Sequence, residues 1–178
     1  ACKHGDKIIL PRNVHRSSIN ALVLCGAIPI YVNPEVNHQL GIALGMSVKQ
    51  VEKAIHENPD AKAVFVNNPT YYGICSDLTA IVKLAHAHGM MVLVDEAHGT
   101  HFYFGRRMPV SAMQAGADMA AVSMHKSGGS LTQSASIFPE GIWRFPGEKS
   151  SERYRILPSM HGKKSTVSAA IMLILKSW

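Results

Sequence analysis

The chain is predicted to be an α/β protein, a three-layer α/β/α arrangement built on a mostly parallel sheet. Two observations carry this reading. Near-continuous apolar runs of strand length alternate with amphipathic runs of helical spacing, and two of the apolar runs, Val92-Leu93-Val94-Asp95 and Ala121-Val122-Ser123, lead into polar and charged residues at their C-terminal ends. Strands covered by helices on both faces read as unbroken apolar segments. The C-terminal edge of such a sheet is where ligands bind.

The alternation opens with Lys7-Ile8-Ile9-Leu10, a short strand closed by Pro11. Helical spacing over 17–25 follows, with Ser17 or Ser18 as its cap, and Gly26 ends it before a strand over 28–32. Ser47 caps a second helix that places Val48, Val51 and Ile55 on one face, and Asn58-Pro59-Asp60 stops it. A strand over 63–66 leads into the loop Asn67-Asn68-Pro69-Thr70-Tyr71-Tyr72-Gly73. Asp77 caps a third helix through His88, Gly89 terminates it, and 90–94 is the fourth strand. A short helix is expected from Pro109 or Val110 to Ala115, then a strand over 119–123.

Composition narrows the class of protein. With 178 residues, 47% hydrophobic and 17% charged, the chain can bury a substantial core as one domain or as part of a larger one. Cys2, Cys25 and Cys75 form no CxxC pair and suit a reducing compartment. No apolar run approaches the roughly 20 residues that a bilayer requires, and no signal-like start opens the sequence, so a soluble cytoplasmic protein without a membrane partner is expected. The net charge of +6 divides unevenly: residues 1–139 hold 11 Lys and Arg against 9 Asp and Glu, and residues 140–178 hold 7 against 3. The tail's basic residues are scattered and follow no nucleic-acid-binding motif, which argues against a nucleic-acid partner.

The motifs exclude several chemistries. There is no G-x-S-x-G elbow, no phosphate-binding G-x-x-x-x-G-K-[ST] loop and no G-x-G-x-x-G turn. His98 and His101 lie close in sequence, but a zinc site needs a third or fourth protein ligand at a suitable spacing, so no metal is expected. His86 and His88 fall in the last turn of a helix, where they satisfy carbonyl groups and the dipole. What remains is Lys126 at one strand end and Asp95 at another. That pair is what pyridoxal phosphate needs, an amine for its carbonyl carbon and an anion to keep its pyridine nitrogen protonated. His15, just past the first strand, belongs to the same sheet edge, where an imidazole can stack on a planar ring.

Taken together, Arg12-Asn13-Val14-His15-Arg16-Ser17, Pro69-Thr70-Tyr71-Tyr72-Gly73, Val94-Asp95-Glu96-Ala97-His98-Gly99, Ser123-Met124-His125-Lys126 and Leu131-Thr132-Gln133-Ser134 resemble the bacterial Orn/Lys/Arg decarboxylase family over roughly residues 1–135. The resemblance implies an aminotransferase-like, fold type I large domain and pyridoxal phosphate-dependent decarboxylation of arginine, lysine or ornithine. It implies that Lys126 forms the Schiff base, that Asp95 pairs with the pyridinium nitrogen and that His15 stacks on the ring. It also implies that Ser123 and His125 hold the phosphate and that His98 lies beside the ring; Thr70 is similar to a residue near the pocket. A homodimer or higher homo-oligomer is the assembly expected of an intact member.

The family's Gly/Ser/Thr-rich phosphate loop lies upstream of the equivalent of residue 1, and the family pattern is not followed beyond about Ile137. The expectation is therefore a partial large domain over 1–137 and a basic tail over 138–178, a truncated form with little activity on its own. Alternatives of the same origin are a non-catalytic remnant, or an aminotransferase or carbon–sulfur lyase on the same fold.

Overall fold

The computed structural model describes residues 2–105 and 107–139. Six strands form one sheet in the order β2-β1-β5-β6-β7-β8: β1 (Lys7–Pro11), β2 (Ile28–Val32), β5 (Ala63–Asn67), β6 (Met91–Asp95), β7 (Met119–Ser123) and β8 (Ala135–Pro139). All neighbours are parallel except β7 and β8, which run antiparallel. A separate two-stranded hairpin joins β3 (Val36–Asn37) to β4 (Ile42–Ala43). The helices are α1 (Arg16–Cys25), α2 (Val48–Glu57) and α3 (Leu78–Ala87).

Strand alternation divides the core between the two faces. Ile9, Val64, Val66, Val92, Val94 and Val122 pack with Val51 and Ile55 of α2 and Leu78 and Ile81 of α3. Ile8, Leu10, Phe65, Leu93 and Ala121 pack with Ala21 and Leu22 of α1. Helices thus cover both faces of a mostly parallel sheet, the three-layer architecture expected. Each large aliphatic side chain buried in this way contributes about 1.5–3 kcal/mol, so the sheet edge that follows these strands is held by a firm scaffold.

Several local expectations hold. Gly26 ends α1 in the left-handed region at φ 69°, and Ser47 with Gln50 forms a complete capping box on α2. Asp77 caps α3 by accepting from the Ala80 N–H. Pro11 is tolerated at the end of β1 because pairing with β5 involves only Ile8 and Ile9, so no ladder donor is lost there.

Two expectations are corrected and two elements are added. The N-cap of α1 is His15 rather than Ser17 or Ser18, because the imidazole accepts from the Ser17 N–H and does the work of a hydroxyl. The segment 109–115 is no helix: Ser111 and Gln114 bond to one another, the Ala115 N–H closes on the Ser111 carbonyl, and Gly116 at φ 86° stops the chain after one turn. Strand β8 and the hairpin were not anticipated, and β8 crosses the boundary placed after residue 137. The remainder of the expected tail, 140–178, lies outside the described residues. No helix among the described residues is long and apolar enough to cross a membrane.

Candidate active site

The C-terminal edge of the parallel strands opens into a cleft of about 380 Å³, lined in part by His15, Tyr71, Asp95, His98, His125 and Lys126. They come from the ends of four parallel strands or the turns after them. His15 follows β1, Tyr71 follows β5, Asp95 closes β6, His98 follows it, and His125 and Lys126 follow β7. Parallel register brings these ends together, since Asn67 pairs with Asp95 and Asp95 with Ala121. The volume falls within the range of sites for small molecules.

Asp95 is 2% exposed, and its Oδ1 accepts from the Ala97 N–H at 3.1 Å. Burial pushes its carboxyl above the usual range, against the opposing pull of the Ala97 bond and of the positive charges of Lys126 and His15. Among the described residues it has no ion-pair partner. Lys126 is exposed, and its Nζ lies 3.0 Å from His98 Nε2. The His98 imidazole is held below its ordinary pKa, first by burial and then by the charges of Lys126 and His15. It is therefore neutral near pH 7.

His15 stands exposed at the mouth. Its Nδ1 lies 2.7 Å from Ser17 Oγ and accepts from the Ser17 N–H at 3.2 Å, which fixes the ring and leaves the proton of the neutral form on Nε2. His125 Nδ1 lies 2.8 Å from the Ser134 carbonyl and 3.3 Å from the Ser134 nitrogen. The first contact needs a proton on Nδ1 and the second a bare nitrogen, so the turn at Ser134 accommodates either form of the ring.

Ser123, the last residue of β7, is fully buried and does not line the cleft; its Oγ has no partner among the described residues. Its carbonyl accepts from Thr100 Oγ1 at 2.8 Å. Thr70 is also buried away from the cleft, where Oγ1 accepts from the Ile74 N–H at 3.2 Å.

Sequence reasoning overlooked two residues here. Tyr71 lines the cleft with its ring perpendicular to that of His98, centroids 5.8 Å apart. Glu96 is 0% exposed on the opposite face of the sheet, taking bonds from Tyr103 Oη at 2.6 Å and the Ala112 N–H at 2.9 Å. Strand alternation after Asp95 was the available signal for that placement. Burial pushes the Glu96 carboxyl up to about 7.

A strand-end lysine and a buried aspartate on the ligand-binding edge of a mostly parallel three-layer sheet define an aminotransferase-like protein of fold type I. In agreement, a solved N-succinyldiaminopimelate aminotransferase from Mycobacterium tuberculosis superposes on 70% of this chain and 33% of its own with a TM-score of 0.55, at 20% identity. Within that class the chain belongs to the Orn/Lys/Arg decarboxylase family, whose major-domain model matches residues 1–171. It is 55% identical over 136 residues to an arginine decarboxylase of Bacillus subtilis, covering 76% of this chain and 28% of that relative. It is 28% identical over 151 residues to the lysine decarboxylase LdcA of Pseudomonas aeruginosa, covering 74% and 20%. The chain thus spans less than a third of the length of these relatives.

Proposed function

We propose that this chain supplies the cofactor-binding part of a pyridoxal phosphate-dependent decarboxylase acting on a basic amino acid. The observation that carries the reading is Asp95. A buried carboxylate without a cation costs several kcal/mol, yet Asp95 sits beside a cleft with one backbone bond and no ion-pair partner among the described residues. A protonated pyridine nitrogen is the cation that the position fits. Lys126, exposed to the same cleft, is the amine that would hold the cofactor's carbonyl carbon. We read His125, on the cleft wall, as the residue that suits a phosphate; the fully buried Ser123 hydroxyl lies off that wall.

Bound there, pyridoxal phosphate would supply a ring that accepts the electron pair left when a carboxylate departs as carbon dioxide. The chain's own residues do the rest. Asp95 would keep a proton on the ring nitrogen, His15 would offer a fixed imidazole face to the ring, and neutral His98 accepts a hydrogen bond from Lys126 Nζ that orients the amine. Residues that fix the ring would influence which bond is cleaved, because the bond perpendicular to the ring plane breaks most readily. The names of the relatives support a basic amino-acid substrate, and a homodimer or higher homo-oligomer belongs to the same reading.

The test uses protein carrying this segment, loaded with pyridoxal phosphate and given carboxyl-labelled arginine, lysine or ornithine. Labelled carbon dioxide and the matching amine are expected, and both should vanish in Lys126→Ala. Formation of a keto acid without carbon dioxide would assign an aminotransferase instead, and no turnover in an intact protein would assign a non-catalytic relative.

A further inference from the structure

The turn between β5 and α3 is built more firmly than an exposed loop needs to be. The Asn68 N–H donates to the Asp95 carbonyl at 3.0 Å, and Asn68 Oδ1 accepts from the Ser76 N–H at 2.8 Å. Thr70 and Ile74 exchange a further backbone bond at 2.8 Å, beside the Thr70 hydroxyl bond. The turn is thereby fastened to the backbone of Asp95 itself. At its tip the Tyr71 ring is 78% exposed.

What it touches is His98. The rings of Tyr71 and His98 meet edge to face, 5.8 Å apart at 86°, and a second perpendicular contact from Tyr72, 5.5 Å away, steadies Tyr71. On its other side His98 presents Nε2 to Lys126 Nζ at 3.0 Å. The imidazole is thus held between an aromatic ring and an amine. From this arrangement we propose that Tyr71 is a positioning residue, which holds the His98 imidazole in the orientation that meets Lys126. The proposal rests on the reading of Lys126 as the cofactor-binding amine and names the residue that tunes it.

Two consequences follow from the chemistry. Edge-to-face pairing restricts the His98 ring to the rotamer that reaches Lys126, and the Tyr71 ring excludes water from the imidazole, which disfavours its protonated form. Loss of the ring should therefore release His98 to water and uncouple it from the amine. The phenol hydroxyl plays no part, so phenylalanine should serve as well as tyrosine.

The experiment is read on the full chain without cofactor. The titration of the His98 ring is followed by NMR, and the pH dependence of Lys126 acetylation by acetic anhydride is followed by mass spectrometry. Tyr71→Ala should raise the proton affinity of His98 by about two- to tenfold, the range set by edge-to-face pairs, and should shift the Lys126 profile with it. The thermal midpoint should be unchanged, because the ring is exposed. Tyr71→Phe should match the natural chain in both readouts. A Tyr71→Ala chain with unaltered His98 and Lys126 profiles would overturn the proposal. So would a Tyr71→Phe chain that behaves like Tyr71→Ala, since the hydroxyl would then be the operative group. Because no cofactor is present, failure of pyridoxal phosphate to attach to Lys126 would count against the proposed function without being confused with either result.

Discussion

Nζ of Lys126 lies 3.0 Å from Nε2 of His98, a contact that joins the turn after β7 to the turn after β6. A cation this close disfavours a second cation, and burial acts on His98 in the same direction. The imidazole, held below its ordinary titration range, is neutral near pH 7 and offers a lone pair to the amine.

Replacing His98 tests that arrangement. In His98→Ala the attachment of pyridoxal phosphate to Lys126, followed by stopped-flow absorbance, should slow by about 10²-fold, the lower end of what a positioned acid or base contributes. The deficit should narrow under acidic conditions, where the natural His98 is itself protonated. Equal rates for the two proteins at neutral pH would remove His98 from the account.

Asp95 carries opposing demands. Its folded pKa is raised, chiefly by burial, so its contribution to stability is fully present below the unfolded value and is lost as pH rises through the folded one. Asp95→Asn keeps an oxygen for the Ala97 N–H and removes the charge. At neutral pH the variant without cofactor should melt at a higher temperature than the natural chain, by several degrees for about 1 kcal/mol, while binding pyridoxal phosphate at least tenfold more weakly. Tighter or unchanged cofactor binding would contradict the assignment.

Glu96 gives a separate pH signature. Its carboxyl is raised from 4.5 to about 7, first by burial. The folded chain therefore holds a proton that the unfolded chain gives up between these values, and stability falls as pH rises through that window. Glu96→Gln should flatten the fall, which amounts to roughly 2–4 kcal/mol at most. Denaturant unfolding at pH 5 and pH 8 measures it, and an unchanged pH slope in the variant would assign the dependence to other groups.

What could be read from the sequence follows the range of the forces involved. The α2 cap was legible because Ser47 and Gln50 form a local pattern, and Asp95 and Lys126 because each ends an apolar run. The His15 cap was not, because imidazole is a rare substitute for a hydroxyl at that position. Strand β8 owes its conformation to antiparallel pairing with β7, a long-range partnership that five residues of sequence do not announce. Tyr71 escaped for the same reason, since it matters through a turn fastened to Asp95; strand alternation gave the side on which Glu96 lies but not its partners Tyr103 and Ala112.

The proposed function stands or falls on Lys126 as the amine that holds pyridoxal phosphate. The most direct measurement is borohydride reduction of the cofactor-treated chain followed by peptide mapping. A pyridoxyl group is expected on Lys126, absent in Lys126→Ala and much reduced in Asp95→Asn at limiting cofactor. A label spread over the surface lysines, or concentrated on any lysine other than Lys126, would contradict it.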